Sequence, residues 1–473
     1  MPEHCAVVLD VGKTHAKLTL WNRHGVLIES RSRPNAGVEG RDYRALDTAG
    51  IESWVAETLA DFARLGNVGA IVPVGHGAAA AILRGGQLAC APVDYEQPIP
   101  APIRTQYDEL RDQFRHTGSP ALPDGLNLGA QLYWLESLLP DVLRGDAIIV
   151  PWAQYWAWVL SGVVASEVTS LGCHTDLWRP TEGRPSTLAV ARGWDARLAP
   201  LRRADEVLGT LRPAWVSRTG LPTDTRVLCG LHDSNAALLA ARGFAEIAEQ
   251  EATVVSTGTW FVAMRSPAIA VPSVCAGLPE RRDCLINVDV HGKPIPSARF
   301  MGGRELESLL ADSGGHVDDP TEQSRLVDAV GRVVRSGAMV LPTLAPGVGP
   351  FPHARHRWLI EAQHSDARGA AACLYAALVL DAALDLIGTC ERILVEGRFA
   401  AAEAFVRALA RLRPGTAVYA SPAHNGVPYG ALRLLDPTLP PPGSLQRVEP
   451  IDADLSAYRL TWRREAERLE SAA

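Results

Sequence analysis

Two segments of the chain repeat one order of hydrophobic and polar positions. The first is apolar over residues 6–9, turns at 12–14 and resumes over 16–21, where apolar and polar residues alternate. The second, residues 251–263, is apolar, then small and polar at 256–259, then apolar again. Alternation on both sides of a short turn predicts a β-hairpin in each segment. Because the pattern occurs twice, we predict an internally duplicated architecture.

Strand-like and helix-like segments alternate through the rest of the chain. Apolar residues at helical spacing predict helices over 127–139, 154–160, 235–241, 370–390, 400–412 and 457–469. Short apolar runs predict strands over 226–229 and 392–395. This alternation is typical of layered α/β proteins. We predict one domain over 1–248, a second over 249–440, and a linker with a terminal helix over 441–473.

The composition is that of an ordinary globular protein, and its charge balance limits the classes of partner that the protein can bind. The chain has 473 residues, with 47% hydrophobic and 21% charged residues, and 46 Lys+Arg against 53 Asp+Glu give a net charge of −7. This balance predicts no nucleic-acid or membrane partner, so phosphate has to be bound locally. The eight cysteines form no C-x-x-C pair, and no signal-peptide pattern is present. We therefore expect a soluble, cytoplasmic protein.

The first hairpin turn carries charged residues suited to phosphate and metal. Two of the three lysines of the chain, Lys13 and Lys17, lie here with Asp10 and Thr14. The turn is not a P-loop, because position 7 is valine where that motif needs glycine. Backbone N–H groups and the Thr14 hydroxyl can bind phosphate, Asp10 can hold Mg²⁺ through water, and Lys17 adds charge. The alternative is a plain hairpin turn with incidental charges.

The second hairpin turn, residues 256–259, offers hydroxyls and a glycine backbone in the same way. Small polar residues in a hairpin are often only turn formers. Taken with the first hairpin, however, the turn predicts that two phosphate-sized bends hold a polyphosphate and its metal from opposite sides of a cleft.

Asp233 follows a predicted strand and precedes an Ala-rich helix. One interpretation is a helix N-cap, the usual place for such a carboxylate. The other is a general base that accepts the proton of a hydroxyl nucleophile during phosphoryl transfer. The neighbouring His232 is interpreted either as a hydrogen-bond partner of a polyol or as a half-buried histidine satisfied within the protein.

Together these segments resemble a known family. Residues 10–17, 230–233, 256–260 and the turn at 396–397 occur in the order and spacing of the FGGY carbohydrate kinases, of the actin/hexokinase-like ATPase superfamily. The likeness extends over nearly the whole chain and is nearest to the rhamnulokinase and fuculokinase branch. It implies an α/β fold of two ribonuclease-H-like domains around a central cleft. It also implies ATP and Mg²⁺, with sugar bound mainly by the first domain and ATP mainly by the second.

The resemblance assigns roles residue by residue. Asp233 matches the catalytic base, and Asp10 matches the metal-holding carboxylate. The positions that match or accompany the nucleotide motifs are Gly12, Lys13, Thr14, Lys17, Gly258, Thr259 and Gly397. The positions that correspond to sugar-contacting segments are His76, Asp94, Tyr95 and Gln154, to which we add His232. Of the Q-M-H-G segment of the family, only the His76-Gly77 pair is kept.

The chain departs from the family pattern at two places. The family's adenosine motif has two or three glycines followed by a small residue and Asn or Ser, whereas this chain has Glu396-Gly397-Arg398-Phe399-Ala400-Ala401. Gly397 still lets the backbone approach a nucleotide. Lys13 stands where many members carry Thr or Ser, so it either adds a second cation near the phosphates or faces solvent.

These observations predict ATP-dependent phosphorylation of a sugar hydroxyl, with Asp233 as general base. The predicted substrates are ketoses such as L-fuculose or L-rhamnulose, or a related polyol. The sugar and ATP are the expected partners, and a homodimer is the assembly we consider. Two alternatives stay open at this point: an actin-like ATPase with a non-sugar substrate, and a catalytically impaired sugar-binding regulatory protein.

Overall fold

The computed structural model describes residues 4–267, 277–311, 317–389, 391–421 and 426–472. Contacts within the chain divide it into two units. The first unit comprises Met1–Gly243, Ile286–Pro294 and Val427–Pro442, and the second comprises Phe244–Leu285, Ile295–Gly426 and Gly443–Ala473. The domain boundaries expected from the sequence, 1–248, 249–440 and 441–473, stay a prediction.

The first half of the chain contains these strands and helices in the described residues: β1 (His4–Val11), β2 (His15–Trp21), β3 (Leu27–Pro34), β4 (Val38–Glu39), β5 (Arg44–Ala45), α1 (Thr48–Phe62), β6 (Asn67–Gly75), β7 (Ala80–Arg84), β8 (Gln87–Leu88), α2 (Ala101–Leu110), α3 (Phe114–Thr117), α4 (Leu128–Leu138), β9 (Ile148–Pro151), α5 (Trp152–Ser161), α6 (Val168–Leu171), β10 (Trp178–Arg179), β11 (Arg184–Pro185), α7 (Thr187–Ala191), β12 (Val207–Thr210), α8 (Pro213–Thr219), β13 (Arg226–Leu228), β14 (Leu231–His232) and α9 (Asp233–Ala241). The main sheet of the first unit has the order β12-β13-β6-β1-β2-β3, and β14 pairs with β6.

The second half contains, in the described residues, β15 (Ala252–Thr257), β16 (Phe261–Ser266), β17 (Cys284–Val288), β18 (Pro294–Phe300), α10 (Gly302–Leu310), α11 (Gln323–Ser336), β19 (Met339–Leu341), β20 (Arg357–Ile360), α12 (Ser365–Leu386), β21 (Arg392–Gly397), α13 (Glu403–Leu412), β22 (Ala417–Ser421), α14 (Gly426–Leu435), β23 (Gln446–Arg447) and α15 (Ser456–Ala472). The sheet of the second unit includes the order β18-β16-β15-β21-β22-β23.

The two sheets share one plan. In the first unit, β1 pairs antiparallel with β2 and parallel with β6. In the second unit, β15 pairs antiparallel with β16 and parallel with β21. Five of the eight residues of β1 and five of the six residues of β15 are buried, as expected for strands covered on both faces. Both predicted hairpins and the internal duplication are therefore confirmed.

The helix boundaries differ from the predicted ones by a few residues. The helix predicted over 370–390 is α12, Ser365–Leu386, and residue 390 lies outside the described residues. By length and composition α12 could cross a membrane, but 89% of its apolar window is buried inside the protein. It is thus a core helix. The helix predicted over 400–412 is split, with a 3₁₀ turn at Arg398–Ala401 before α13.

Candidate active site

The carboxyl ends of three neighbouring strands of the first unit meet at one edge of its sheet. Asp10 of β1 and Leu231 of β14 both lie level with Val74 of β6 in the parallel pairing. Parallel α/β sheets bind ligands at this edge, because loops and helix N-termini gather there. Asp10 and the residues that directly follow the other two strands, His76 and Asp233, therefore share one site.

Asp10 is half-buried, and one oxygen of its carboxylate has no hydrogen-bond partner among the described residues. This oxygen, Oδ1, is enclosed by protein and accepts no hydrogen bond from the part of the chain that the structure describes. Burial, and then the nearby charge of Asp233, raise the pKa of Asp10 to about 7, while Lys17 opposes the shift. Two carboxylates in such surroundings favour a cation that neutralises them. The residues present therefore fit a divalent metal ion at Asp10.

Asp233 is the first residue of α9, and its two carboxylate oxygens differ. Oδ1 accepts hydrogen bonds from the backbone N–H of Ser234 at 2.5 Å and from its hydroxyl at 3.2 Å. Among the described residues, no donor reaches Oδ2. The side chain is 29% exposed. One oxygen is thus held by the protein, and the other is available to a ligand.

His76 follows β6 and presents an unused acceptor. Its Nδ1 donates to the carbonyl oxygen of Gly77 at 2.8 Å, and its Nε2 is buried with no hydrogen-bond partner among the described residues. Burial lowers the pKa of His76 to about 4, so the ring is neutral at neutral pH. The rings of Tyr95 and Trp152 lie against it, with centroids 5.5 and 6.0 Å away. An acceptor enclosed by aromatic rings suits a hydroxyl group of a sugar.

Lys13 is paired within the protein. Its Nζ lies 2.7 Å from the buried carboxylate of Asp94 and 3.4 Å from Glu96, and it stands over the Tyr95 ring at 5.2 Å. The carboxylate of Asp94 also forms an ion pair with Arg44, whose Nε lies 3.2 Å away. Of the two interpretations of Lys13, the solvent-facing side chain is wrong, because the side chain is only 12% exposed. A second cation near the phosphates stays a prediction. The pair of Lys13 with Asp94 ties the first hairpin to the segment that carries Tyr95.

Gln154 of α5 supports the turn that leads to Asp233. Its Nε2 donates to the carbonyl oxygens of Cys229 and Gly230 at 3.3 and 3.1 Å, while its Oε1 is buried and receives no hydrogen bond from any described residue. Gly230 has a φ of +77°, and an added Cβ would lie 2.0 Å from the carbonyl oxygen of Pro73. Only glycine fits this turn, which sets the direction in which the chain enters α9.

Asn35 braces the first hairpin turn, a role that sequence patterns missed. Its Nδ2 donates to the carbonyl oxygen of Gly12 at 2.6 Å, and its backbone N–H donates to the carbonyl oxygen of Thr14 at 2.8 Å. The Thr14 residue itself is exposed. A lone asparagine after β3 carries no motif, so no local signal marks it.

In the second unit, the turn between β15 and β16 uses two of its hydroxyls internally. Ser256 Oγ donates to Glu396 Oε1 at 2.8 Å, and Thr257 Oγ1 donates to the carbonyl oxygen of Glu396 at 2.6 Å. The hydroxyl of exposed Thr259 remains, next to Gly258, where an added Cβ would meet nothing closer than 4.0 Å. The part of this turn open to a phosphate is therefore Gly258 and Thr259.

The turn after β21 differs from a plain glycine-rich loop. Gly397 has a φ of +86°, and an added Cβ would lie 2.4 Å from the carbonyl oxygen of Thr257, so no side chain fits there. Burial raises the pKa of Glu396 to about 7, and the hydrogen bond from Ser256 opposes the shift. Arg398 pairs with Asp318 at 2.7 Å and Glu307 at 2.6 Å.

Comparison with known proteins identifies the family. A model of the FGGY carbohydrate kinase C-terminal domain matches residues 249–442. The chain is 56% identical to a carbohydrate kinase of known crystal structure from Novosphingobium aromaticivorans, with a TM-score of 0.90 over 97% of this chain and 100% of that one. The chain belongs to the FGGY carbohydrate kinase family. This FGGY member is therefore a carbohydrate kinase, an enzyme that phosphorylates a carbohydrate with ATP.

More distant structures share the fold of this FGGY kinase. Ligand-bound xylulose kinase from Lactobacillus acidophilus has a TM-score of 0.79 at 14% identity, covering 99% of this chain and 98% of that one. Plasmodium falciparum glycerol kinase with ADP has a TM-score of 0.79 at 12% identity, with the same coverage. A search of curated proteins found no match. The predicted two-domain α/β fold of the actin-like ATPases is confirmed, whereas the rhamnulokinase and fuculokinase branch stays a prediction.

Proposed function

We propose that this kinase phosphorylates a hydroxyl of a ketose such as L-fuculose or L-rhamnulose, or of a related polyol, with Asp233 as general base. One observation carries the proposal: Asp233 Oδ2, which no donor among the described residues reaches, shares a sheet edge with buried His76, whose Nε2 has no hydrogen-bond partner in the same part of the chain. The hydroxyl proton goes to Oδ2 as the hydroxyl oxygen forms its bond to the terminal phosphorus of ATP and the bond to ADP breaks.

The first unit is proposed to bind the sugar. His76 Nε2 and Gln154 Oε1 are buried acceptors that find no donor in the described ranges of the chain, and a polyhydroxy compound supplies O–H donors for both. Buried acceptors of this kind discriminate strongly, because a substrate that lacks the matching hydroxyl leaves them unpaired. Tyr95 lies beside His76, and Lys13, which pairs with Asp94, stands over the Tyr95 ring.

The nucleotide is proposed to use both hairpin turns and the turn after β21. Backbone N–H groups at Gly12–Thr14 and at Gly258–Thr259, with the Thr14 and Thr259 hydroxyls, are proposed donors to phosphate oxygens. Lys17 lies opposite Asp10 in the pairing of β1 with β2, where its charge favours phosphate. Gly397 allows backbone to approach the nucleoside. The second unit is thus proposed to bind most of the ATP.

Asp10 is the proposed metal-holding carboxylate, acting through water. Its unpartnered Oδ1 and its raised pKa fit a cation better than a structural role. Mg²⁺, when bound, neutralises charge on the phosphate oxygens. Cytoplasmic localisation and a homodimer remain predictions from the sequence.

The substrate proposal is tested by ADP release over a panel of ketopentoses, deoxyketohexoses, polyols and the matching aldoses. We expect turnover with a ketose or polyol at least ten times that of its aldose, since buried acceptors select the arrangement of hydroxyls. ATP with Mg²⁺ and no sugar is the control. ADP release that is equal with and without every panel compound, or a clear preference for an aldose, would contradict the proposal.

Asp10→Asn is expected to weaken the response to Mg²⁺. The amide keeps the shape of the side chain but loses the charge, so the Mg²⁺ concentration for half-maximal ADP release rises by about 10- to 100-fold. The free energy of unfolding should not fall at neutral pH, because burial already disfavours the charged form of Asp10. Asp61→Asn, at an exposed acid of the same unit, is the matched control. An unchanged Mg²⁺ curve would remove Asp10 from the metal site.

A further inference from the structure

His232 lies where it can act on the proposed base. Its Nε2 is 3.2 Å from Asp233 Oδ1, the same oxygen that accepts both hydrogen bonds from Ser234. Three polar groups therefore surround Oδ1, whereas Oδ2 has none among the described residues. A carboxylate held in this way through one oxygen keeps its other oxygen in a defined direction.

The His232 ring is itself fixed from several sides. Nε2 also makes a hydrogen bond with Cys173 Sγ at 3.4 Å, and Nδ1 makes one with the side-chain amide of Asn235 at 3.3 Å. The backbone N–H of His232 donates to Thr169 Oγ1 at 3.0 Å. His232, Cys173, Asn235 and Thr169 are all buried. With both ring nitrogens engaged inside the protein, neither is left as a hydrogen-bond partner for a sugar.

The charges around the ring are consistent with this arrangement. Burial opposes a charged His232, but Cys173 and Asp233 outweigh it and raise the pKa of the ring to about 9. Burial likewise disfavours the Cys173 thiolate. The neighbouring His174 and His232 have the larger effect, however, and lower the pKa of the Cys173 thiol to about 5. The N–H at Nε2 lies within 3.4 Å of the sulfur and 3.2 Å of the carboxylate oxygen, and both groups attract it.

We propose that His232 is a positioning residue for Asp233: it holds Oδ1, with its ring fixed by Cys173 and Asn235, so that Oδ2 faces the sugar hydroxyl. This inference rests on the proposed function, in which Asp233 is the base. It gives His232 a different role from the sugar contact expected from the sequence. The prediction is that His232 contributes to kcat and not to sugar affinity.

The test measures kcat and KM by ADP release with D-xylulose, L-rhamnulose and L-fuculose as acceptors. His232→Leu is expected to lower kcat by about 10- to 100-fold, the usual loss for a residue that orients a catalytic group, with the sugar KM within about twofold. His232→Gln places an amide nitrogen near the position of Nε2, so it should restore most of kcat. Cys173→Ala should lower kcat by less than His232→Leu does. Cys173→Ser keeps a hydrogen-bonding group at this position, so its kcat should be close to that of the unsubstituted enzyme.

A second comparison uses the Asp233→Asn background, where the residual rate should change less than about threefold when His232→Leu is added. Full coupling of this kind is expected if His232 acts through Asp233. An increased sugar KM with unchanged kcat would overturn the inference and make His232 a sugar ligand. Failure of His232→Gln to restore kcat, in a folded protein, would also overturn it. Full activity of Asp233→Asn alone would instead overturn the proposed function, whatever His232 does.

Discussion

Asp233→Asn is expected to lower kcat for sugar phosphorylation by about 10²- to 10⁴-fold, the range that general-base catalysis contributes. Asparagine keeps the shape of the side chain, but its amide cannot accept the hydroxyl proton at the position of Oδ2. ADP release in the presence of a panel sugar measures the loss. Nucleotide affinity, measured by calorimetry with ADP, should be nearly unchanged, because the proposed phosphate donors lie at other residues.

The control for this prediction is Asp205→Asn. Asp205 belongs to the same unit, is partly exposed and pairs with Arg203 on the surface at 2.6 Å. Its replacement should leave kcat unchanged. If Asp233→Asn kept full activity while folding normally, another group would have to accept the proton. If both variants lost activity together, the loss would reflect stability and not catalysis.

Asp381→Ala is expected to destabilise the second unit by about 3–5 kcal/mol, the usual result of leaving buried charges unpaired. The Asp381 side chain is fully buried in α12 and meets three guanidinium groups. Arg413 follows α13, whereas Arg459 and Arg463 belong to α15. One carboxylate therefore joins three helices. The unfolding midpoint should fall by roughly 6–20 °C, measured by circular dichroism or calorimetry.

Asp385→Ala is the matched control, one helical turn further along α12. Asp385 contacts Arg413 and Arg463 at 2.6 Å, but it is 40% exposed. Water can replace its interactions, so we expect a loss of less than about 1 kcal/mol. Equal effects of the two variants would contradict the idea that burial makes Asp381 the centre of the network.

The features predicted best from the sequence are those that one strand and the residues directly after it determine. Both hairpins follow from alternation on either side of a turn, and the structure has them at His4–Trp21 and Ala252–Ser266. The gathering of Asp10, His76 and Asp233 also has a local origin, since each belongs to or follows the end of a strand. Once those strands are parallel neighbours, their carboxyl ends meet at one edge.

The partners of the site residues were decided only by the tertiary structure. Lys13 pairs with Asp94, 81 residues away, and His232 pairs with Cys173, 59 residues away. Ser256 donates to Glu396 across 140 residues. Hydrophobic periodicity reports which face of an element is buried, and it carries no information about which polar group another segment places opposite. Sequence alone thus determined the fold, the kinase class and the position of the proposed base. The chain's three-dimensional packing decided which of these groups remain available to a ligand.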